Sequence, residues 1–277
     1  MSTVIGPDPA TTARAVALEA AHAHRTVFAD RFVAGYALGS LAHGGYAPAV
    51  SDIDLAVILT DTRSGDADRI AETFQALRER GEPHRKLSVF WGSLDALRRG
   101  HDDGRFPAID RLDLAEQGLL LLGSDVARQV AVPGTDELLV DSARFAVQVL
   151  ATDEVLAELA RPRRLLEDPV WFTKAVLFPV RFFYSNAVTM GRAAVNDEAI
   201  RWYLVQPGAV ATPLVRLAAE VRSGAPLDPS AAAPLLEAGL TALYRRYAED
   251  QVRRLRQASA PADLVSAFEN WRERLGD

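Results

Sequence analysis

The sequence predicts an α+β protein, with a small mixed sheet and its helices followed by an all-helical bundle. Three observations carry that expectation. Apolar runs of strand length at 32–38, 53–59 and 86–91 alternate with helical periodicity. Beyond Val132-Pro133-Gly134 the pattern turns wholly helical. At 277 residues the chain is long enough for two ordinary domains, and the proline-glycine step divides it into 1–131 and 132–277.

Residues 1–11 are polar and contain proline, and are expected to be loose. Thr12 to Ala29 reads as an amphipathic helix, with Ala17, Leu18, Ala21 and Phe28 on its apolar face. Phe32 to Leu38 is the first strand and Ile53 to Leu59 the second, with a short helix opening after Gly39. Asp66 to Arg80 is helical, carries Ile70, Phe74 and Leu77 on one face, and stops at Gly81-Glu82-Pro83. Lys86 to Trp91 is the third strand, and Gly92 to Leu114 is less regular. The apolar stretch Ala115 to Leu122 suits either a helix or a strand.

In the second half, Thr135 can cap a helix over Asp136–Ala160. Asp168-Pro169 opens another that runs to about Met190, and Asn196 can cap Asp197–Leu204. Thr212-Pro213 starts a helix ending near Ser223-Gly224, and two longer ones fill Ser230–Gln257 and Ala262–Leu275. The arginines between 245 and 256 alternate with apolar positions and read as a solvated helix face.

The chemistry concentrates between residues 33 and 59. Side chains two apart on a strand share a face, so Asp52 and Asp54 project together while Ile53 points into the core. Neighbouring carboxylates repel, and a bridging cation resolves the repulsion; paired carboxylates suit Mg2+, which completes its shell with water and substrate phosphates. Gly39 permits a sharp turn and close approach to a ligand. Ser40 adds a hydroxyl at a helix start, where phosphate is favoured. A P-loop is excluded, since Gly45-Tyr46 stands where Lys-Ser/Thr is required. An EF-hand is excluded too, since Leu55-Ala56 supply neither a ligand nor the loop glycine.

The step Gly39-Ser40 followed by Ser51-Asp52-Ile53-Asp54 resembles the Gly-Ser and Asp-x-Asp motif of the DNA polymerase β-like nucleotidyltransferases. The resemblance implies a polymerase β-like catalytic domain over 1–131. It makes Asp52 and Asp54 catalytic residues and ligands of Mg2+, and assigns Gly39, Ser40 and Ser51 to a nucleoside triphosphate, ATP first. A second set, Arg181 through Tyr184-Ser185, then Thr189, Gly191, Asp197-Glu198-Ala199 and Trp202, is similar to the helical domain of streptomycin/spectinomycin-type aminoglycoside adenylyltransferases. Those enzymes bind nucleotide between the two domains. By position Arg181 falls on an arginine that contacts the phosphates, although an ion pair on its own helix would explain it equally. A lysine of that family falls on Asn196 and a tyrosine near the base falls around Arg222.

One departure bears directly on activity. The family's third acid, a glutamate serving as general base, falls on Ser88, whose hydroxyl neither accepts a proton well at neutral pH nor binds Mg2+ strongly. Replacement acids are Asp95, Asp110 and Asp113 from the first half, or Asp153 and Glu154 from the bundle.

Composition narrows the setting. The absence of cysteine excludes disulfides, thiolate zinc sites and cysteine nucleophiles, and five scattered histidines show no metal-ligand spacing. No run of apolar residues reaches the length of a membrane span, and no signal peptide is evident, so a soluble cytoplasmic protein is expected. A net charge of −6 argues against a general nucleic-acid binder and suits a cationic substrate. The expected activity is Mg2+-dependent transfer of a nucleoside monophosphate to a hydroxyl of a small, aminoglycoside-like acceptor. The alternatives are transfer to tRNA or protein, as in toxin–antitoxin relatives, and a catalytically weak nucleotide-binding protein.

Overall fold

The computed structural model describes residues 8–187 and 195–276. It forms two compact units that meet in sequence between Pro133 and Gly134.

The first unit opens with α1 (Pro9–Phe28), which starts earlier than Thr12 because the Asp8 carboxylate accepts the Thr11 N–H at 3.2 Å and Pro9 fits the first turn. There follow β1 (Phe32–Ala37), α2 (Gly39–His43), β2 (Ile53–Leu59), α3 (Asp66–Arg78), β3 (Leu87–Ser93), α4 (Leu94–Arg98), α5 (Ala108–Gln117) and β4 (Leu119–Gly123). The stretch 115–122 is thus both helix end and strand, divided at Gly118, where a side chain would come 2.7 Å from the Leu114 carbonyl oxygen. The sheet is mixed, in the order β3-β2-β1-β4, with β1 antiparallel to both neighbours and β2 parallel to β3. The parallel pair needs a crossover, which α3 supplies.

Alternation along β2 sorts the core into two layers. Ile53, Leu55, Val57 and Leu59 pack with Leu87, Val89 and Trp91 against Ala17, Ala20 and Ala21 of α1 and Ile70 of α3. Ala56 and Ile58 face the other way, with Ala34 and Tyr36, toward Leu97, Phe106 and Leu114. A fork of two hydrogen bonds from Arg31 to Asp66, 2.7 and 2.8 Å, ties the approach to β1 to the start of α3.

The second unit is all helical: α6 (Thr135–Leu150), α7 (Asp153–Leu159), α8 (Pro169–Ala187), α9 (Asn196–Leu204), α10 (Thr212–Arg222), α11 (Pro229–Gln257) and α12 (Ala262–Arg274). The single helix expected over 136–160 is broken, because the Thr152 hydroxyl accepts the Val155 N–H and caps a new helix. Asp168 caps α8 as expected, accepting the Val170 N–H at 2.7 Å. Asn196 instead lies inside α9, whose N-cap position is Val195. Phe172, Val176, Tyr244, Tyr247, Phe268 and Trp271 build the bundle core. Thr189, Gly191 and the expected helix end at Met190 lie outside the described residues.

Candidate active site

Asp54 is the second residue of β2, half-buried, and shares its face with Ala56. Asp52 is exposed and lies just before the strand, so the two carboxylates leave the sheet at the N-terminal end of β2. The Leu38 N–H donates to the Asp54 carbonyl at 3.0 Å, which carries the β1–β2 pairing to the Gly-Ser step. Gly39 comes next with φ +60°, and a Cβ there would sit 2.5 Å from Asp54 Oδ2. Both the backbone angle and the carboxylate therefore require glycine at this position. Ser40 follows, half-buried, as the second residue of α2.

Ser51 is buried, and its hydroxyl accepts the Ala47 N–H at 3.0 Å. That bond closes the 47–51 turn and sets where Asp52 emerges; it commits the hydroxyl to the loop rather than presenting it outward.

Ser88 lies level with Asp54 in the parallel β2–β3 pairing, on the same face and half-buried. The replacement acids are scattered. Asp95 is 61% exposed and paired with Arg99 at 2.5 Å. Asp110 is half-buried in the first turn of α5. Asp153 pairs with Arg274, and Glu154 is exposed on α7. Asp113 is different: it is buried on α5, its Oδ2 accepts the Gly39 N–H at 2.7 Å, and its Oδ1 is 2.5 Å from His43 Nε2. Sequence reasoning named Asp113 only among possible bases and passed over His43. Its one signal was position, since His43 ends the helix that Gly39 begins.

Among the described residues no three His, Asp or Glu side chains gather to hold a metal. The Asp52–Asp54 pair is a donor set that would suit Mg2+, which takes one or two carboxylates and fills its shell with water and phosphate oxygens. A cavity of about 380 Å³ lies on the α1 side of the unit, walled by Tyr46, Glu82 and Lys86 with Pro9, Pro48 and Pro83, and neither Asp52 nor Asp54 lines it. The Tyr46 phenol is held above its ordinary pKa, first by burial and then by the charges of Glu82 and Asp52.

In the helical unit Arg181 is exposed on α8. Arg222 on α10 is buried, with Nε 3.9 Å from Asp197 Oδ1. Burial lowers its pKa; Asp197 opposes that shift and the charge of Arg181 adds to it. The Tyr184 hydroxyl donates to Glu198 Oε2 at 2.9 Å, and its ring meets Trp202 edge-on at 5.8 Å. The residues of the second resemblance that lie within the described chain are thus on α8 and α9, and Arg222, a departure from that family, is on α10.

No protein-family model matches the sequence, and no curated protein matches it. Among solved structures the chain is similar to the spectinomycin adenyltransferase AAD(9) from Enterococcus faecialis, whose crystal structure contains ATP and spectinomycin. The TM-score is 0.52 at 10% identity, over 94% of this chain and 99% of that one. The chain therefore shares the fold of that adenyltransferase, and its own architecture is a small mixed sheet followed by a helical bundle, as expected from the sequence.

Proposed function

We propose that this protein is a Mg2+-dependent nucleotidyltransferase that moves AMP from ATP to a hydroxyl of a small, cationic, aminoglycoside-like acceptor. The observation that carries the reading is the packing of the Asp54 carboxylate on the side-chain-free, left-handed Gly39, with Asp52 beside it at the same strand end. A glycine there lets a triphosphate approach a carboxylate pair without an intervening side chain.

Asp52 and Asp54 would hold the metal, which neutralises phosphate charge when bound. Ser40 binds a phosphate oxygen through its hydroxyl, and the resemblance assigns Arg181 to the same phosphates. An acceptor oxygen bonds to the α-phosphorus, the bond to the bridging oxygen breaks, pyrophosphate leaves, and the proton of the acceptor hydroxyl passes to solvent water. The contribution of this chain is mostly positioning and charge neutralisation.

Incubation with Mg2+ and each nucleoside triphosphate, against aminoglycoside and tRNA panels, tests the proposal by mass. An added monophosphate on an aminoglycoside supports it, and modification of tRNA alone would replace it with the macromolecular reading. A second reading, a nucleotide-binding protein with little transfer, is favoured by one observation, the serine level with Asp54. Binding of Mg2+·ATP with no product from any acceptor would select it.

A further inference from the structure

We propose that Asp113 and His43 are positioning residues that brace the Gly39–Ser40 turn in its phosphate-receiving shape, an inference that rests on the nucleotide-binding reading above. α2 is a five-residue helix, too short to hold itself, and it is entered through a left-handed glycine. Leu41 is its one buried residue. Asp113 reaches both ends of this helix at once: one carboxylate oxygen takes the N–H of Gly39, its first residue, and the other meets the ring of His43, its last.

The side chains of the pair are 6% and 8% exposed, so water competes little for these bonds. A buried carboxylate is costly unless its oxygens are bonded, and here both are. Asp54 stands over the Cα side of Gly39 while Asp113 holds its amide. The turn is met from two elements, β2 through Asp54 and α5 through Asp113, both of which carry buried core residues.

The same contacts argue against other roles for Asp113. It joins no metal-holding group of three among the described residues, and each oxygen already takes one hydrogen bond, from the Gly39 amide and at the His43 ring, as a positioning residue requires. The other role open to a carboxylate on the Gly39 amide is to stand in for a phosphate oxygen. Its second bond, to the far end of α2, ties it to the helix it would have to leave.

The full chain with Asp113→Ala, Asp113→Asn, His43→Leu and His43→Gln tests this in two measurements. The first needs no nucleotide. Hydrogen exchange of the Gly39 amide should accelerate roughly 10- to 100-fold in Asp113→Ala, the span of a lost hydrogen bond to a charged group. The second is the kinetics of transfer. KM for Mg2+·ATP should rise by about tenfold or more in Asp113→Ala and His43→Leu while kcat falls less. His43→Gln, which keeps an N–H donor, should recover most of what His43→Leu loses. Unchanged Gly39 exchange in Asp113→Ala, or tighter ATP binding, overturns the brace. Should Asp113→Ala not fold, Asp113→Asn and the two His43 variants decide by the same readings. If the wild-type chain binds no nucleotide, the exchange result still decides the brace, and only the functional reading falls.

Discussion

Ser88 stands level with Asp54 across the parallel pairing of β2 and β3, its side chain on the same face of the sheet. A carboxylate at position 88 would share that face with Asp54, the proposed metal ligand. Ser88→Glu should therefore raise transfer at saturating Mg2+·ATP, by up to the roughly 10²- to 10⁴-fold that general-base help supplies. Single-turnover rates of the two proteins check this. No change, or a loss, would mean that another acid serves or that the added charge is harmful.

Asp52→Ala and Asp54→Ala should each abolish Mg2+-dependent nucleotide binding and leave the fold intact. Each removes one of two charged donors, and neither side chain is part of the hydrophobic core. Titration calorimetry with Mg2+·ATP and thermal melts separate the two effects. Wild-type affinity in both variants would remove the metal from these residues.

Ser40→Ala should weaken nucleotide binding by about 1.5–3 kcal/mol, one hydrogen bond to a charged group. Gly39→Ala should cost more. It places a Cβ at φ +60° and 2.5 Å from Asp54 Oδ2, so it strains the turn and displaces the carboxylate together. The order of the two affinities is the test, and Gly39→Ala binding as tightly as Ser40→Ala would contradict the geometry.

His24 is fully buried on α1, with Nδ1 2.8 Å from the Ala20 carbonyl oxygen. Burial lowers its pKa from the ordinary 6.5, so the folded chain takes up the proton less readily than the unfolded chain. The stability it contributes is complete above 6.5 and is lost as the pH falls below that value toward the lowered folded pKa. Denaturant unfolding from pH 7.5 to 5 should show wild-type stability falling and a shallower fall in His24→Gln. Parallel slopes would assign the acid sensitivity elsewhere.

Much of this arrangement was legible in the sequence, for local reasons. Gly39-Ser40 and Asp52-Ile53-Asp54 are short-range patterns whose geometry follows from one turn and one strand. Strand alternation likewise put Ser88 on a definite face before its partner was known. What escaped was long-range. The pairing of His43 with Asp113 joins residues 70 apart and depends on α5, which formed inside a stretch without clear periodicity. β4 was hidden because an apolar run at a helix end has no period of its own until a neighbouring strand supplies one. The cap at Thr152 was overlooked for a different reason: apolar spacing continues across it, and only the hydroxyl bond marks the break.

The side of α1 that lies on the sheet is made of very small residues: Ala13, Ala17, Ala20 and Ala21 are at most 1% exposed, and a Cβ on Gly35 of β1 would meet that of Ala21 at 2.8 Å. The elements that cover the other face of the sheet bring larger side chains, Leu97, Phe106 and Leu114, against Tyr36 and Ile58. The two sides should therefore drift differently over evolutionary time. Enlargement is rejected beneath α1, where added methylenes have nowhere to go, at a cost of about 1–3 kcal/mol. Truncation is rejected on the other side, where losing a ring such as that of Phe106 costs about 3–5 kcal/mol. Asp54 and Ser88 sit on that second side, so substitutions that reshape the site must arise against a layer that tolerates lateral exchange of similar volumes and little else.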